Sequence, residues 1–158
     1  MTDRKYGIRA MPKQRVLFTG FGVFLLFVLA FSIFFFLQFQ TIQVEGPSMQ
    51  PTLEPGNRVL TSRAYWLVGQ IQKGDIIVLR SPKDGAIVIK RVYALEGETV
   101  DFLNAPEDWP MVNGEFRVPE NHLYVLGDNK PVSEDSREFG PVAKSKVLGK
   151  VVVWNTPG

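Results

Sequence analysis

"GDIIVLRSPKDGAIVIKRVYAL", Gly74 to Leu95, holds two runs rich in Ile, Val and Leu on either side of "SPKDGA". Pro, Asp and Gly are turn formers, so the stretch reads as two β-strands with a turn between them. Strand side chains alternate faces. In the second run Val88, Lys90, Val92 and Ala94 therefore share one side, and Ile87, Ile89, Arg91 and Tyr93 share the other. Lys90 interrupts an otherwise apolar face. If that face is inward, burial disfavours the ammonium and lowers its pKa, which makes a neutral amine accessible. A snorkelling or edge-strand lysine is the other reading, and the strand alone leaves both open.

Outward from this stretch the same texture continues. "TIQVE", "NRVLTS", "ETVDFL", "HLYVLGD" and "KVLGKVVVW" are short β-rich runs, separated by "EPGN", "NAPEDWP" and "VNGE". Many short strands with regular turn signals predict a mostly β fold, a compact barrel-like or sandwich-like domain over residues 38–158. The Asn-Gly pair of Val112–Glu115 predicts a two-residue hairpin turn.

Before that domain the texture differs. Residues 16–37, "VLFTGFGVFLLFVLAFSIFFFL", contain no charge in twenty-two positions. As a helix they would span about 33 Å, enough for a hydrocarbon core of about 30 Å. A cleavable signal peptide would have a shorter apolar run and small residues at its end. Here the run ends in "FLQFQTIQ", so a single uncleaved transmembrane helix is expected. Residues 1–15 carry five cations against Asp3, a net of +4, while the formal total is +2. This basic tail predicts a cytoplasmic N-terminus and an extracytoplasmic domain. The remainder of the chain is net negative, which removes the motive for nucleic-acid binding. Eleven residues separate Leu37 from Ser48, at most about 35–40 Å of extended chain, so Ser48 is expected near the membrane surface. "AYWLVG", Ala64 to Gly69, and Trp109 read either as aromatic patches at the interface or as fillers of the β-core.

The chain has no cysteine and a single histidine, His122. Disulfides, thiolate metal sites and a cysteine nucleophile are thereby excluded, and no metal or other cofactor is expected. A serine–histidine–aspartate triad would have to use His122, which reads as the exposed start of a strand. Lysine is the remaining candidate base. Two further segments carry candidate chemistry. "VEGPSMQPTL", Val44 to Leu53, places Ser48 between two prolines; it is either a nucleophile in a shaped loop or a turn residue. "GDNKPVSEDSREFGPV", Gly127 to Val142, could orient a buried lysine through Ser133 or Ser136 and brace itself with an Asp135–Arg137 pair, or be a polar surface loop.

Taken together, "GPSMQPTL", "GDIIVLR", "IKRVYALEGETV" and "GDNKPVSEDSREFGPV" resemble, in order and spacing, the boxes of the type I signal peptidases. These are membrane-bound serine proteases that remove signal peptides from exported proteins. The resemblance implies Ser48 as nucleophile and Lys90 as general base, with no histidine needed. It implies Ser133 as the serine that hydrogen-bonds the lysine amine, and Arg91, Asp128, Asp135 and Arg137 as the charged residues that brace the site. Val44, Met49, Leu53 and Ile89 fall where the family lines shallow pockets for small side chains at the −3 and −1 positions. Substrate would bind by strand addition. The implied partners are preprotein signal peptides, the lipid bilayer of the plasma or inner membrane and the secretion translocon.

Three departures stand out. Gly46 replaces a serine that in some members serves the oxyanion hole, which leaves the Ser48 N–H as the definite donor. "ALEGE", Ala94 to Glu98, replaces "GLPGD", and Lys130-Pro131-Val132 replaces a more polar triplet. Residues 99–123 leave room only for a hairpin and loop where larger members insert a second β-region, so a minimal catalytic core is expected. The departures also motivate a dedicated maturation protease for few substrates. A tethered β-domain that binds exported proteins without catalysis is the reading from a different class.

Overall fold

The computed structural model describes residues 13–109 and 114–155. The basic tail up to Pro12 and the Asn113 position of the expected hairpin turn lie outside the described residues. The chain divides into two compact units, residues 1–37 and 38–158.

In the first unit α1 (Lys13–Gln38) runs for 26 residues. Its segment Gly20–Gln38 is long and apolar enough to cross a membrane, and none of it is buried. The hydroxyl of Ser32 donates to the Val28 carbonyl at 2.8 Å. This i−4 bond satisfies the polar group within the helix itself, as an apolar environment requires.

The second unit is mostly β. Seven strands form one antiparallel sheet: β1 (Phe39–Gln43), β2 (Arg58–Ser62), β3 (Ile76–Arg80), β4 (Ile87–Leu95), β7 (His122–Leu126), β8 (Val142–Ala143) and β9 (Val147–Asn155). Their spatial order is β1-β2-β9-β3-β4-β7-β8, and the sheet curls into a half-barrel. Two two-residue strands, β5 (Thr99–Val100) and β6 (Phe116–Arg117), pair separately. The β3–β4 hairpin is closed at "SPKDGA" by Ser81 N–H to Ala86 O at 2.8 Å, with Gly85 at φ 75°. That positive φ is one that glycine adopts without strain.

Apolar residues fill both faces of the sheet. Val44, Met49, Leu53, Val59, Ile76, Val78 and Val151 form one cluster, with Ile89 against it. Ile77, Leu79, Val92, Leu123, Val125 and Val142 form a second, with Val88 and Leu95 against it. Each fully buried aliphatic side chain contributes about 1.5–3 kcal/mol relative to exposure.

The simple alternation expected along β4 holds only to Val92. The β4–β7 register slips between Val92 and Ala94, a bulge that reverses which residues share a face. Leu95 rejoins Val88 and Val92, whereas Ala94 packs with Tyr124 and Phe116 in a third cluster. Of the aromatic stretches, Tyr65–Val68 forms a short helix, α2, and Trp66 is 73% exposed, so it does not fill the β-core. Trp109 does pack against the third cluster, edge-on to Phe116 at 5.1 Å.

Candidate active site

Ser48 lies in a single 3-10 turn, Pro47–Met49, immediately after the first strand. Pro47 opens the turn, where its missing N–H costs nothing. Ser48 follows at the second position, where a backbone N–H has no acceptor within the turn. The turn is tied to the last box. Asn129 N–H donates to Ser48 O at 3.0 Å, and Asn129 Nδ2 donates to Pro47 O at 3.2 Å. Gly127 allows this close approach: a Cβ there would sit 2.6 Å from Ser48 O and 2.1 Å from Ser133 Oγ.

Lys90 is only 3% exposed, which excludes the snorkelling reading. Its amine donates to Ser133 Oγ at 3.0 Å. Burial lowers its pKa from that of an ordinary lysine; the charges of Asp135 and Glu134 oppose the shift and that of Arg137 adds to it. Ser136 takes no part in holding the lysine. It is fully buried and its Oγ accepts the Val125 N–H at 3.0 Å, pinning the last box to β7.

The bracing charges fall into two groups. Arg91 meets Asp128 through Nε–Oδ1 at 2.7 Å and Nη2–Oδ2 at 2.6 Å, and donates to Gly74 O at 2.8 Å. Burial pushes the Asp128 carboxyl up, but hydrogen bonds from Arg91 and Thr52 outweigh it and hold the pKa below the usual range. Asp135 has no exposed surface. Arg137 Nε and Nη2, each at 2.9 Å, and Gly127 N–H at 3.0 Å satisfy it. These bonds likewise outweigh desolvation and keep it ionised. Such full satisfaction is what makes a buried carboxylate tolerable.

A cleft of about 630 Å³ brings the main parts together, lined by Thr41–Gly46, Ser48 and Met49 on one side and Ala86–Lys90 on the other. Val44, Met49 and Ile89 line it. Leu53 does not: it is fully buried in the core cluster behind Val44 and Met49, and supports the wall without forming it. Both strands along the cleft have open edges. β1 ends the sheet, and Ile87–Lys90 pair with β3 alone because the β7 ladder begins at Arg91. His122 begins β7, with Nδ1 against Glu120 O at 2.7 Å. Gly127 and Asn129 lie inside the last box, where the sequence assigns them no role. Their signal was the turn-forming Gly-Asp-Asn run itself.

The model of the family "Signal peptidase, peptidase S26" matches residues 18–106 and 103–155. The chain belongs to this family. It is 39% identical over 118 residues to the mitochondrial ATP-independent inner membrane protease subunit 1a of Arabidopsis thaliana, covering 72% of this chain and 70% of the relative. It is 34% identical over 141 residues to signal peptidase I of Bacillus caldolyticus, covering 72% and 77%. A crystal structure of a signal peptidase I from Enterococcus faecalis aligns at a TM-score of 0.44 and 29% identity, over 54% of this chain and 99% of that one. The S26 relatives are therefore both bacterial and mitochondrial, and this chain is a signal peptidase-type protease.

Proposed function

We propose that the chain is a membrane-anchored serine endopeptidase that removes N-terminal signal peptides from exported preproteins by a Ser48–Lys90 dyad. The observation that carries this reading is the buried Lys90 amine, which lines the same cleft as Ser48 and has a lowered pKa. A neutral amine takes the Ser48 proton as Oγ attacks the scissile carbonyl. The resulting ammonium then gives that proton to the leaving amine, and water releases the acyl group by the same route. Ser133 fixes the direction of the amine. The Ser48 N–H is the definite oxyanion donor. The cleft supports strand addition, since an extended chain lying in it meets open backbone edges on both sides, with Val44, Met49 and Ile89 beneath small side chains. The apolar α1 and the basic tail support an anchor with residues 1–15 in the cytoplasm, residues 16–37 in the bilayer and residues 38–158 outside.

The test uses the full chain in detergent or vesicles, with a model preprotein and a serine-reactive acylating probe. Ser48→Ala and Lys90→Ala are expected to fold, to lose cleavage by at least about 10³-fold, and, for Ser48→Ala, to lose labelling. Undiminished processing by both variants would sink the dyad. A panel of unrelated preproteins separates a general enzyme from a dedicated maturation protease, for which the "ALEGE" departure speaks.

A further inference from the structure

Along β4 the Ser48 cleft ends at Lys90, and a second cleft of about 540 Å³ begins at Arg91. The two are close neighbours in the fold. Gly127, which abuts the Ser48 carbonyl, lines the second cleft, as does Thr52, four residues beyond Ser48. Gly127 and Thr52 therefore set the second cleft beside the Ser48 turn.

The second cleft is electrostatically unbalanced. Its floor is apolar, with Val92 and Leu126, and its charges are Lys73, Arg91, Lys130 and Asp128. Asp128 is engaged by Arg91 through both oxygens. Lys73 and Lys130 make no ion pair among the described residues. The Lys73 amine stands 5.6 Å from the centroid of the Tyr93 ring, and the Lys130 amine donates to the neutral Asn104 Oδ1 at 2.9 Å. Two cations thus line a concave site without an ion pair, the nearby Asp101 carboxylate being taken by Tyr93 Oη and Asn104 Nδ2, on a domain whose sequence beyond Arg15 is net negative. Such an arrangement focuses a positive potential into the cleft.

We propose that this second cleft receives the first few residues after the scissile bond, and that Lys73 and Lys130 select aspartate or glutamate side chains there. The proposal rests on the peptidase reading and deepens it: the enzyme reads the beginning of the mature protein as well as the end of its signal peptide. The continuity with Ser48 favours a peptide occupant, and the rim charge sets its sign.

The test compares paired preprotein substrates, identical up to the scissile bond and bearing Glu or Gln in the residues after it. Wild-type full-length protein is expected to cleave the Glu form about three- to tenfold more efficiently, as two partly exposed ion pairs allow. Added salt should shrink the preference. Lys73→Gln with Lys130→Gln should abolish it without slowing the Gln substrate, and Lys73→Glu with Lys130→Glu should reverse it toward a Lys substrate. Equal cleavage of the pair by wild-type protein overturns the cleft proposal and leaves the peptidase reading standing. Cleavage of neither substrate overturns the peptidase reading. The cleft is then read by titrating the Ser48→Ala chain with the free Glu peptide; tight binding that the double Gln variant loses supports it, and no binding overturns it. Vesicles of phosphatidylglycerol form the last arm: if they bind through Lys73 and Lys130 while the peptides are treated alike, the site belongs to a lipid headgroup and the proposal fails.

Discussion

β4 carries two adjacent cations and treats them in opposite ways. Lys90 faces Ile77 across the ladder and is buried, with a serine hydroxyl as its hydrogen-bond partner. Arg91 faces Ile76, stays partly exposed and is clasped by both oxygens of Asp128. One side chain is desolvated without a counter-ion in direct contact, so its proton is loosely held. The other is paired so fully that its pKa moves up. On the proposed dyad, the difference separates chemistry from construction within two residues of one strand: the cation proposed to react has no carboxylate in contact, and the cation that holds is given one.

Replacing each cation by methionine breaks the comparison most directly. Lys90→Met should lose all measurable cleavage yet unfold at the same or a higher temperature, because it removes a desolvated amine from an apolar wall. Arg91→Met should behave the other way, retaining some activity while losing about 1–3 kcal/mol, since Asp128 is left half-buried without its partner. Equal loss of stability in both variants, followed by thermal melts of the full chain, would show that Lys90 too is structural. Next in size is Gly127→Ala. The added methyl meets Ser133 Oγ and Ser48 O at distances no Cβ tolerates, so Ser133 or the Ser48 turn must shift. A displacement of about 1 Å costs about 10² in rate, read in kcat on a model preprotein.

The smallest effect concerns pH. The amine must be neutral to accept the serine proton, so kcat/KM should climb with pH through the Lys90 pKa, at a pH below that of an ordinary lysine. Glu134 holds that pKa up, and Glu134→Gln should move the rising limb to slightly lower pH without altering the maximum. Lys90 has a stability signature as well. Its folded pKa is depressed, so between that value and the ordinary lysine value the unfolded chain binds more protons, and stability rises with pH across that window. Asp135 works at the acid end: its lowered pKa means stability present at neutral pH is lost as pH falls through the carboxylate range.

Much of this is legible in the sequence. The apolar run, the β-rich runs and the parity of Lys90 against Arg91 all follow from side-chain periodicity, which a long strand displays plainly. What escaped lacked periodicity. Phe116–Arg117 and Val142–Ala143 are two residues each, too short to alternate. The bulge at Tyr93 depends on the partner strand, so nothing within "RVYAL" announces it. Composition alone leaves Ser133 and Ser136 equivalent; the family resemblance singles out Ser133, and the turn geometry gives Ser133 to the lysine and Ser136 to a backbone amide. Leu53 could not be told from Met49 without knowing which of them stands behind the other.

The open edges of β1 and of Ile87–Lys90 bear on timing. A chain that fills the space between them must offer free backbone along both of its sides, which no strand already paired within a folded protein can do. Under the proposed strand addition, the cleft admits polypeptide only while it is still extended, so cleavage is confined to stretches of substrate that have not yet folded.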